Sequence, residues 1–426
     1  MSSTIRVEHL ARVEGHGGIT VEMDGATVAK VRFDVFEGAR LLERLLRGRS
    51  YEDIAQIVSR ICAICSAAHA LTSLKATEAA FGIEISQQTA LLRDLLYRGE
   101  SIESHALHIF CLAAPDYVDS PSVLAMAAAH AEDVALGLRL KKLGNKIQEV
   151  VGGRAVHPVN ALLGGFGKLP AEDQLISLRN DLKRSLDDCE RVVRLMASLP
   201  PADFCRPGAV LAALRNPGDY GYYAGDEIAV VADGQEESVR AVDYRALTNE
   251  QAVPHSHAKH SLFRGSPFMV GSLARLAVSS GKLSPLAAEA MREMKLTPRR
   301  GNPTDNNKAQ AVELVFDIEY ALKTVENLLG TGLTVERRAQ VVPKAGVGTA
   351  VTEAPRGLLF HSYVYDGQGR LISADIITPT ALNAASIEDH LRRAVEQNTP
   401  AEATGLRKKL EMIVRAYDPC ISCSVH

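Results

Sequence analysis

Near the N-terminus, apolar and polar positions alternate with a period of two. The stretch 18–35 reads GITVEM-DG-ATVAKVRFDV, two strands joined by a tight turn at Asp24 and Gly25. From about Gly38 the period lengthens. Leu41, Leu42, Leu45 and Leu46 form an apolar stripe with Arg and Glu between them, as on one face of a helix. Helical patterning then continues with few breaks. It predicts helices over 62–81 stopped by Gly82, over 87–111 ending before Pro115, over 122–151 stopped by Gly152 and Gly153, and over 171–199 stopped by Pro200 and Pro201. The stretch 203–260, with frequent Pro, Gly, Tyr and Asp, predicts irregular chain. Helical periodicity returns over 270–280, 284–294 and 307–328. Residues 345–377 predict strands with a hairpin turn at 366–369, and helices follow over 380–397 and 403–416 before the sequence DPCISCSVH.

With no internal repeat, low-complexity segment or flexible linker, the pattern predicts one unit over 1–426. Its parts are an N-terminal β-hairpin (1–36), a helical core (38–330) and a mixed α/β C-terminal part (331–426). The fold class is α+β, predominantly α-helical, with a central helical bundle and small sheets at its edges. A hydrophobic fraction of 46% over 426 residues is ample for a large buried core. The net charge of −3, with Lys and Arg spread along the chain, gives no reason to expect nucleic acid as a partner. The longest apolar candidate, 123–131, is ended by Glu132 and Asp133, well short of the roughly 20 residues a membrane span needs. The start, MSSTIRVEHL, lacks a basic segment followed by an apolar one. The expectation is a cytoplasmic protein with no direct membrane insertion.

Seven cysteines is an odd count, which argues against a disulfide framework. Cys111, Cys189 and Cys205 are isolated and read as small buried hydrophobes. The other four form two CxxC pairs near opposite ends of the chain. Cys62 and Cys65 open an Ala-rich helix in SRICAICSAAHALTSLKA, where the helix N-terminus eases loss of the thiol proton. Cys420 and Cys423 follow Asp418 and Pro419, whose ring fixes the backbone just before the pair. Four thiolates suit zinc, an iron–sulfur cluster, or nickel with iron. Structural zinc normally uses CxxC pairs close together in small modules, and a thioredoxin-type pair would follow a strand in a βαβ unit. Spacing alone leaves a catalytic metal site, structural zinc and a redox pair open. The cluster HSHAKH (255–260), with no acidic partner close by in the sequence, reads as structural or surface.

The segments RICAICSAAHA and DPCISCSVH together resemble the two cysteine signatures of nickel–iron hydrogenase large subunits. The likeness extends through RVEGHGGI (12–19), GRSYEDIAQIVSRIC (48–62), ESHALHIF (103–110), EAPRG (353–357) and IITPTALN (376–383), essentially the whole chain. The resemblance implies the large-subunit fold of that family and reversible heterolytic cleavage of dihydrogen. It implies that Cys62 and Cys420 bind nickel alone, while Cys65 and Cys423 bridge nickel to an iron carrying carbon monoxide and cyanide. Glu14 matches the proton-transfer glutamate. Arg356 matches the arginine over the bimetallic site, donating to a cyanide or polarising dihydrogen. Thr380, beside Pro379, matches a hydroxyl donor to the other cyanide, or caps a helix. His69, one helical turn after Cys65, would hydrogen-bond the bridging sulfur or act as an ordinary core histidine. Glu43, His426 and a carbonyl near Ile376 match the ligands of a separate magnesium-type ion. Asp116 and Asp418 would line the site.

Nothing in the chain resembles a GxGxxG nucleotide loop, and it has too few spare cysteines for a cluster relay. The resemblance therefore implies a partner, the iron–sulfur small subunit, with further clusters, flavin and NAD(P) on diaphorase-type subunits. The subtype it most resembles, through LLGGFGKLP (162–170) among other stretches, is the cytoplasmic bidirectional NAD(P)-coupled or sulfhydrogenase alpha-like one. Family precursors lose a C-terminal extension to a maturation endopeptidase, so the ending at His426 looks like a mature form. CAIC stands where many members have CGVC, and TPTALN where many have Ser–Thr–Trp; neither removes a ligand. The alternatives are a deazaflavin-linked or sensory hydrogenase, or a zinc-stabilised scaffold related to the quinone-site subunit of complex I, which lacks the complete cysteine set.

Overall fold

The computed structural model describes residues 2–25, 27–200, 202–398 and 403–426. The hairpin predicted from alternation is present as Gly17–Asp24 paired with Thr27–Val35, antiparallel. A third strand, Ser2–Val7, adds on the far side of Gly17–Asp24. Its Ile5 and Val7 alternate with polar neighbours, a signal too short to stand out. The leucine stripe is cut short: the helix Leu42–Leu46 buries only Leu46, and Leu41 and Leu45 face solvent.

The expected helix over 62–81 starts four residues later, as Ser66–Phe81. Cys62 is extended and Cys65 is the non-helical residue before the first turn, so both sulfurs lie ahead of the helix rather than on its side. It ends as predicted at Gly82, in the left-handed conformation. The helix Gln87–Leu107 does not stop before Pro115. It passes through a π-helical segment, His108–Ala113, into a further turn, Ala114–Tyr117. Pro115 lies just past the π-helical segment, at the junction with the short last turn. The pattern over 122–151 divides into Val123–Met126 and Ala131–Gly152.

The core is a bundle of long helices. Gln87–Leu107 lies against both Ala131–Gly152 and Asn306–Thr331, and Glu172–Ser198 packs against those same two helices. The first of these contacts is unusually close. A side chain at Gly144 would meet the carbonyl of Gly99 and the amide of Glu103 at 2.5 Å, so only hydrogen fits between the two backbones.

The stretch 203–260 is not irregular. It holds Val210–Arg215, Glu227–Ala232 and Gln235–Arg240, in a four-stranded sheet completed by Phe268–Met269 running parallel to Val210–Arg215. The inner strands read VLAALR and EIAVVA, continuous apolar runs rather than alternating ones, because both faces are buried. The C-terminal strands Gly346–Ala354, Gly357–Tyr365 and Leu371–Ile377 form an antiparallel meander against Ser66–Phe81. The turn at 366–369 is where the sequence predicted it, and a second, tighter one at Pro355 and Arg356 joins the first two strands. The result is α+β, mainly helical with small sheets. Among the described residues no helix is long and apolar enough to cross a membrane.

The Gly144 contact makes a prediction. Gly144→Ala should lower stability by about 1–3 kcal/mol through backbone overlap. Gly330→Ala, in the open last turn of Asn306–Thr331, should be neutral or stabilise by up to about 1 kcal/mol. Thermal unfolding of the two variants side by side reads the difference; equal melting temperatures would sink the close-contact argument.

Candidate metal centre

The two cysteine pairs meet. Cys62 Sγ lies 3.3 Å from Cys420 Sγ and Cys65 Sγ lies 3.3 Å from Cys423 Sγ. The four sulfurs all lie within 4.8 Å of one another, and all four residues are buried. Arg40 ties the two segments together: its guanidinium donates to the carbonyls of Ile61 and Ser422, both at 2.7 Å, and of Arg60 at 3.3 Å. Its backbone amide donates to Val425.

The thiols differ sharply in acidity. Hydrogen bonds from Cys420, Cys423 and Cys65 hold Cys62 well below the ordinary thiol value, with help from Arg356. Cys65 accepts similar help from Cys420 and Cys423, but burial and the charge on Cys62 push it up to about 11. Burial likewise raises Cys420 and Cys423 well above the ordinary value. Left to itself the pocket ionises one thiol and resists the rest. Four thiolates there require a cation among them, and this donor set fits a soft or borderline metal.

The strip RVEGHGG runs beside the second pair. Glu14 bridges to Cys420 as one rung of a parallel ladder, its carbonyl accepting from the amide of Ile421. Its carboxylate accepts from the Ser422 amide at 3.0 Å and from the Ser422 hydroxyl. Gly15 follows with φ +86°, and a Cβ there would lie 2.7 Å from Cβ of Ile421; glycine is required on both counts. Asp116 does not reach this strip's carboxylate. It pairs with Arg12 at 2.5 Å and Arg415 at 2.6 Å, and so anchors the loop that carries Glu14.

Arg356 sits in the tight turn between Gly346–Ala354 and Gly357–Tyr365. Its Nε donates to the carbonyl of Asp418 and its Nη2 to the Asp418 carboxylate, both at 3.0 Å. Nη1 is buried with no partner. Burial works against its charge, yet Asp418 and the Cys420, Cys62 and Cys65 sulfurs keep Arg356 firmly protonated. Asp418 is buried too; that alone would raise it, but Arg356 with His108 and His105 draws it below the ordinary carboxylate value. Beneath the turn, Arg275 donates to the carbonyls of Ala354 and Pro355 and to the carboxylates of Glu313 and Glu353.

Thr380 Oγ1 accepts from the amide of Cys420 at 2.9 Å, leaving its own proton free to donate. It is not the helix cap. Thr378 holds that position, and Pro379 and Thr380 form the first turn. His69 is fully buried and stands 3.2 Å from His361, which in turn contacts the Tyr363 hydroxyl. Burial drops His69 to about 3, against the pull of Cys62, so the ring is neutral.

Glu43 and His426 approach each other, Oε1 to Nε2, at 3.8 Å. Glu43 also accepts from Ile376 at 2.7 Å, through the amide rather than the carbonyl. His426 Nδ1 lies 2.7 Å from the carbonyl of Cys423, tying this pair to the cysteine loop.

Two contributors were invisible in the sequence. Arg40 has no motif of its own. Glu100, from a different helix, accepts from the amides of Ala67 and Ala68 and caps the helix that follows Cys65. The one available signal was the lack of any Ser, Thr, Asp or Asn at the position just before that helix. Of the isolated cysteines, Cys189 and Cys205 are buried as expected and Cys111 is half-buried. HSHAKH, however, does have an acidic partner: Glu388, brought from a distant helix, lies 2.7 Å from His255.

Comparison with known proteins agrees with this arrangement. The family model described as nickel-dependent hydrogenase matches residues 40–151 and 213–426, and one described as HoxL-like matches 4–37. The alpha subunit of sulfhydrogenase 1 from Pyrococcus furiosus is 40% identical over 99% of this chain and 97% of its own length. A vhu subunit of the F420-non-reducing hydrogenase from Methanocaldococcus jannaschii is 33% identical over 92% of this chain and 98% of its own. An NAD+-reducing NiFe hydrogenase in the H2-reduced state superposes with a TM-score of 0.88 at 26% identity, covering 100% of this chain and 99% of that one. The Ni-Fe-Se hydrogenase from D. vulgaris Hildenborough has the same fold, with a TM-score of 0.81 at 23% identity and both chains covered in full. With four converging cysteines, this fold and matches along its length, the chain belongs to the nickel-dependent hydrogenase large-subunit family.

Proposed function

We propose that this chain is the catalytic subunit of a cytoplasmic NiFe hydrogenase that interconverts dihydrogen with protons and electrons and passes the electrons to an iron–sulfur small subunit, and so to NAD(P). The observation that carries the reading is the buried quartet of sulfurs beside an arginine that keeps one N–H group without a protein partner. The NAD(P) coupling, with flavin and pyridine nucleotide on diaphorase-type subunits, is supported by the likeness to an NAD+-reducing enzyme and to sulfhydrogenase alpha subunits.

Cys62, Cys65, Cys420 and Cys423 would hold the metals, with Cys65 and Cys423 shared between nickel and iron. A nickel–iron pair with carbon monoxide and cyanide on the iron, when bound, supplies the polarisation that splits dihydrogen heterolytically. The protein's part is to hold the metals, orient donors and remove the proton. Glu14 is the proton acceptor: Ser422, the chain neighbour of Cys423, fixes its carboxylate through its amide and hydroxyl. Arg356 is oriented by Asp418 and offers Nη1 to a cyanide or to dihydrogen itself. Thr380, its oxygen engaged by Cys420, offers its proton to the second cyanide. His69, whose amide donates to the Cys65 carbonyl, would adjust the basicity of a sulfur as a neutral ring one turn on. Glu43 and His426 would hold a magnesium-type ion with a carbonyl near Ile376 and waters, a donor set a hard cation accepts.

Three measurements test this. Infrared spectra of the natively purified complex should show iron-bound carbon monoxide and cyanide, with nickel and iron both bound, and lose those bands in Cys65→Ala and Cys423→Ala. A folded protein full of zinc and without the bands would make the cysteine site structural and dismiss every role above. Glu14→Gln should slow both dihydrogen oxidation and hydrogen–deuterium exchange by about 10²–10⁴-fold with metal content and infrared bands unchanged. Unaltered exchange would exclude Glu14 as the proton acceptor. Finally, the intact complex should reduce NAD(P)+ with dihydrogen. Reduction of a viologen dye without any reduction of NAD(P)+ would remove the nucleotide coupling and leave the dihydrogen chemistry standing.

A further inference from the structure

A second set of metal-ligating side chains lies apart from the cysteine quartet and shares no residue with it. Gln251–Val253 and Ser256–His260 form a short hairpin, with His255 in its turn and His260 at the end of its second strand. Glu388, on the helix Pro379–Gln397, faces both. Its Oε1 is 2.7 Å from Nε2 of His255, and its Oε2 is 3.9 Å from Nδ1 of His260. One ligand atom from each of the three residues can be chosen so that all lie within 4.8 Å of one another. The two imidazoles meet edge to face, ring centres 5.6 Å apart.

An ion pair alone accounts poorly for this arrangement. A single carboxylate serves one histidine well and stops short of the other. His260 is buried, its Nε2 has no hydrogen-bond partner, and its Nδ1 is beyond hydrogen-bonding range of Glu388. The carboxylate is nonetheless fixed in place, because the amide of Phe33 donates to Oε1 at 2.8 Å. Metal ligands are commonly oriented by such a hydrogen bond from outside the coordination sphere. Two imidazoles and one carboxylate are a donor set for a borderline divalent metal, zinc foremost. Tetrahedral zinc would hold its ligands about 3.3 Å apart. The His255–Glu388 distance would open to that and the His260–Glu388 distance would close to it, each by roughly half an ångström. His255 and Glu388 are each partly exposed, which leaves a coordination position for water.

We propose that His255, His260 and Glu388 bind a divalent zinc-type ion, separate from the thiolate-held metals, that fastens the 251–260 hairpin to the helix Pro379–Gln397 and to the N-terminal strand Thr27–Val35. Thr380 lies in the first turn of that helix, about 12 Å away along its axis, and its hydroxyl engages Cys420. The ion thus secures the middle of an element whose first turn touches the cysteine loop.

The test uses the assembled complex, exposed to zinc chloride and desalted, with zinc, nickel and iron quantified together. The wild type should retain about one zinc per chain in this site, and His260→Ala and Glu388→Gln should each bind it at least tenfold more weakly, with nickel and iron unchanged. Equal zinc in wild type and variants, or none in the wild type, overturns the proposal. Should the variants fail to fold, cobalt(II) loading of the wild type decides. With magnesium in excess to fill the Glu43–His426 position, weak visible absorption typical of nitrogen and oxygen ligands supports the site. No cobalt bound, or intense near-ultraviolet charge transfer from sulfur, assigns the metal elsewhere and overturns it.

Discussion

Four thiols gathered in a dry pocket set the terms for the rest of this protein. Hydrogen bonds from its neighbours draw Cys62 towards the thiolate, while burial and the neighbouring sulfurs push the other three the opposite way. A multivalent cation relieves the repulsion, but it cannot bring the sulfurs together from positions 358 residues apart in the chain. The protein does that with groups that need no metal. Arg40 grips carbonyls from both cysteine segments, and the rung between Glu14 and Cys420 lines up the N-terminal strip with the C-terminal one. Gly15 follows from the same demand, since any side chain there would collide with Ile421 between the two terminal cysteines.

Around this centre the supporting charges are buried in pairs. Arg356 with Asp418, Arg275 with Glu313 and Glu353, and Arg415 with Asp116 are all nearly inaccessible to water. Such pairs add little net stability compared with apolar packing, yet breaking one costs about 3–5 kcal/mol because a lone charge is left behind. Their effect is on geometry. Arg275 fixes the two carbonyls immediately before Arg356, and Asp116 fixes Arg12 two residues before Glu14. Both residues assigned to the chemistry are therefore held by a buried ion pair one step removed.

The sequence made legible what depends on local pattern. The N-terminal hairpin, most long helices, the C-terminal meander and the cysteine pairing across the chain were all readable from periodicity, turn residues and motif. It misled where burial erased alternation, as in VLAALR and EIAVVA, whose two buried faces look like featureless apolar runs. It misled again at Pro115, because the residue type signals a break while the chain runs on through a π-helical segment into one more turn. Contacts carried by single long-range side chains left no trace. Arg40, Glu100 and Glu388 each act on a segment far away in the chain, and only the fold reveals the partner.

The electrostatics of the pocket also narrow how a proton can leave it. Arg356 and Asp418 are locked as a buried pair. Burial keeps His69 and His361 neutral, far below the range in which they could accept a proton. Glu100, also buried and held only by two backbone amides, is pushed well above the ordinary carboxylate value, so ionising it to receive a proton is unfavourable. Glu14 differs from all of these. It is partly exposed, unpaired with any arginine or lysine among the described residues, and held by the amide and hydroxyl of Ser422. A base beside the cysteines must be able to hand its proton onward, and of these groups Glu14 alone is both reached by solvent and free of a charged partner, which is what supports the role proposed for it.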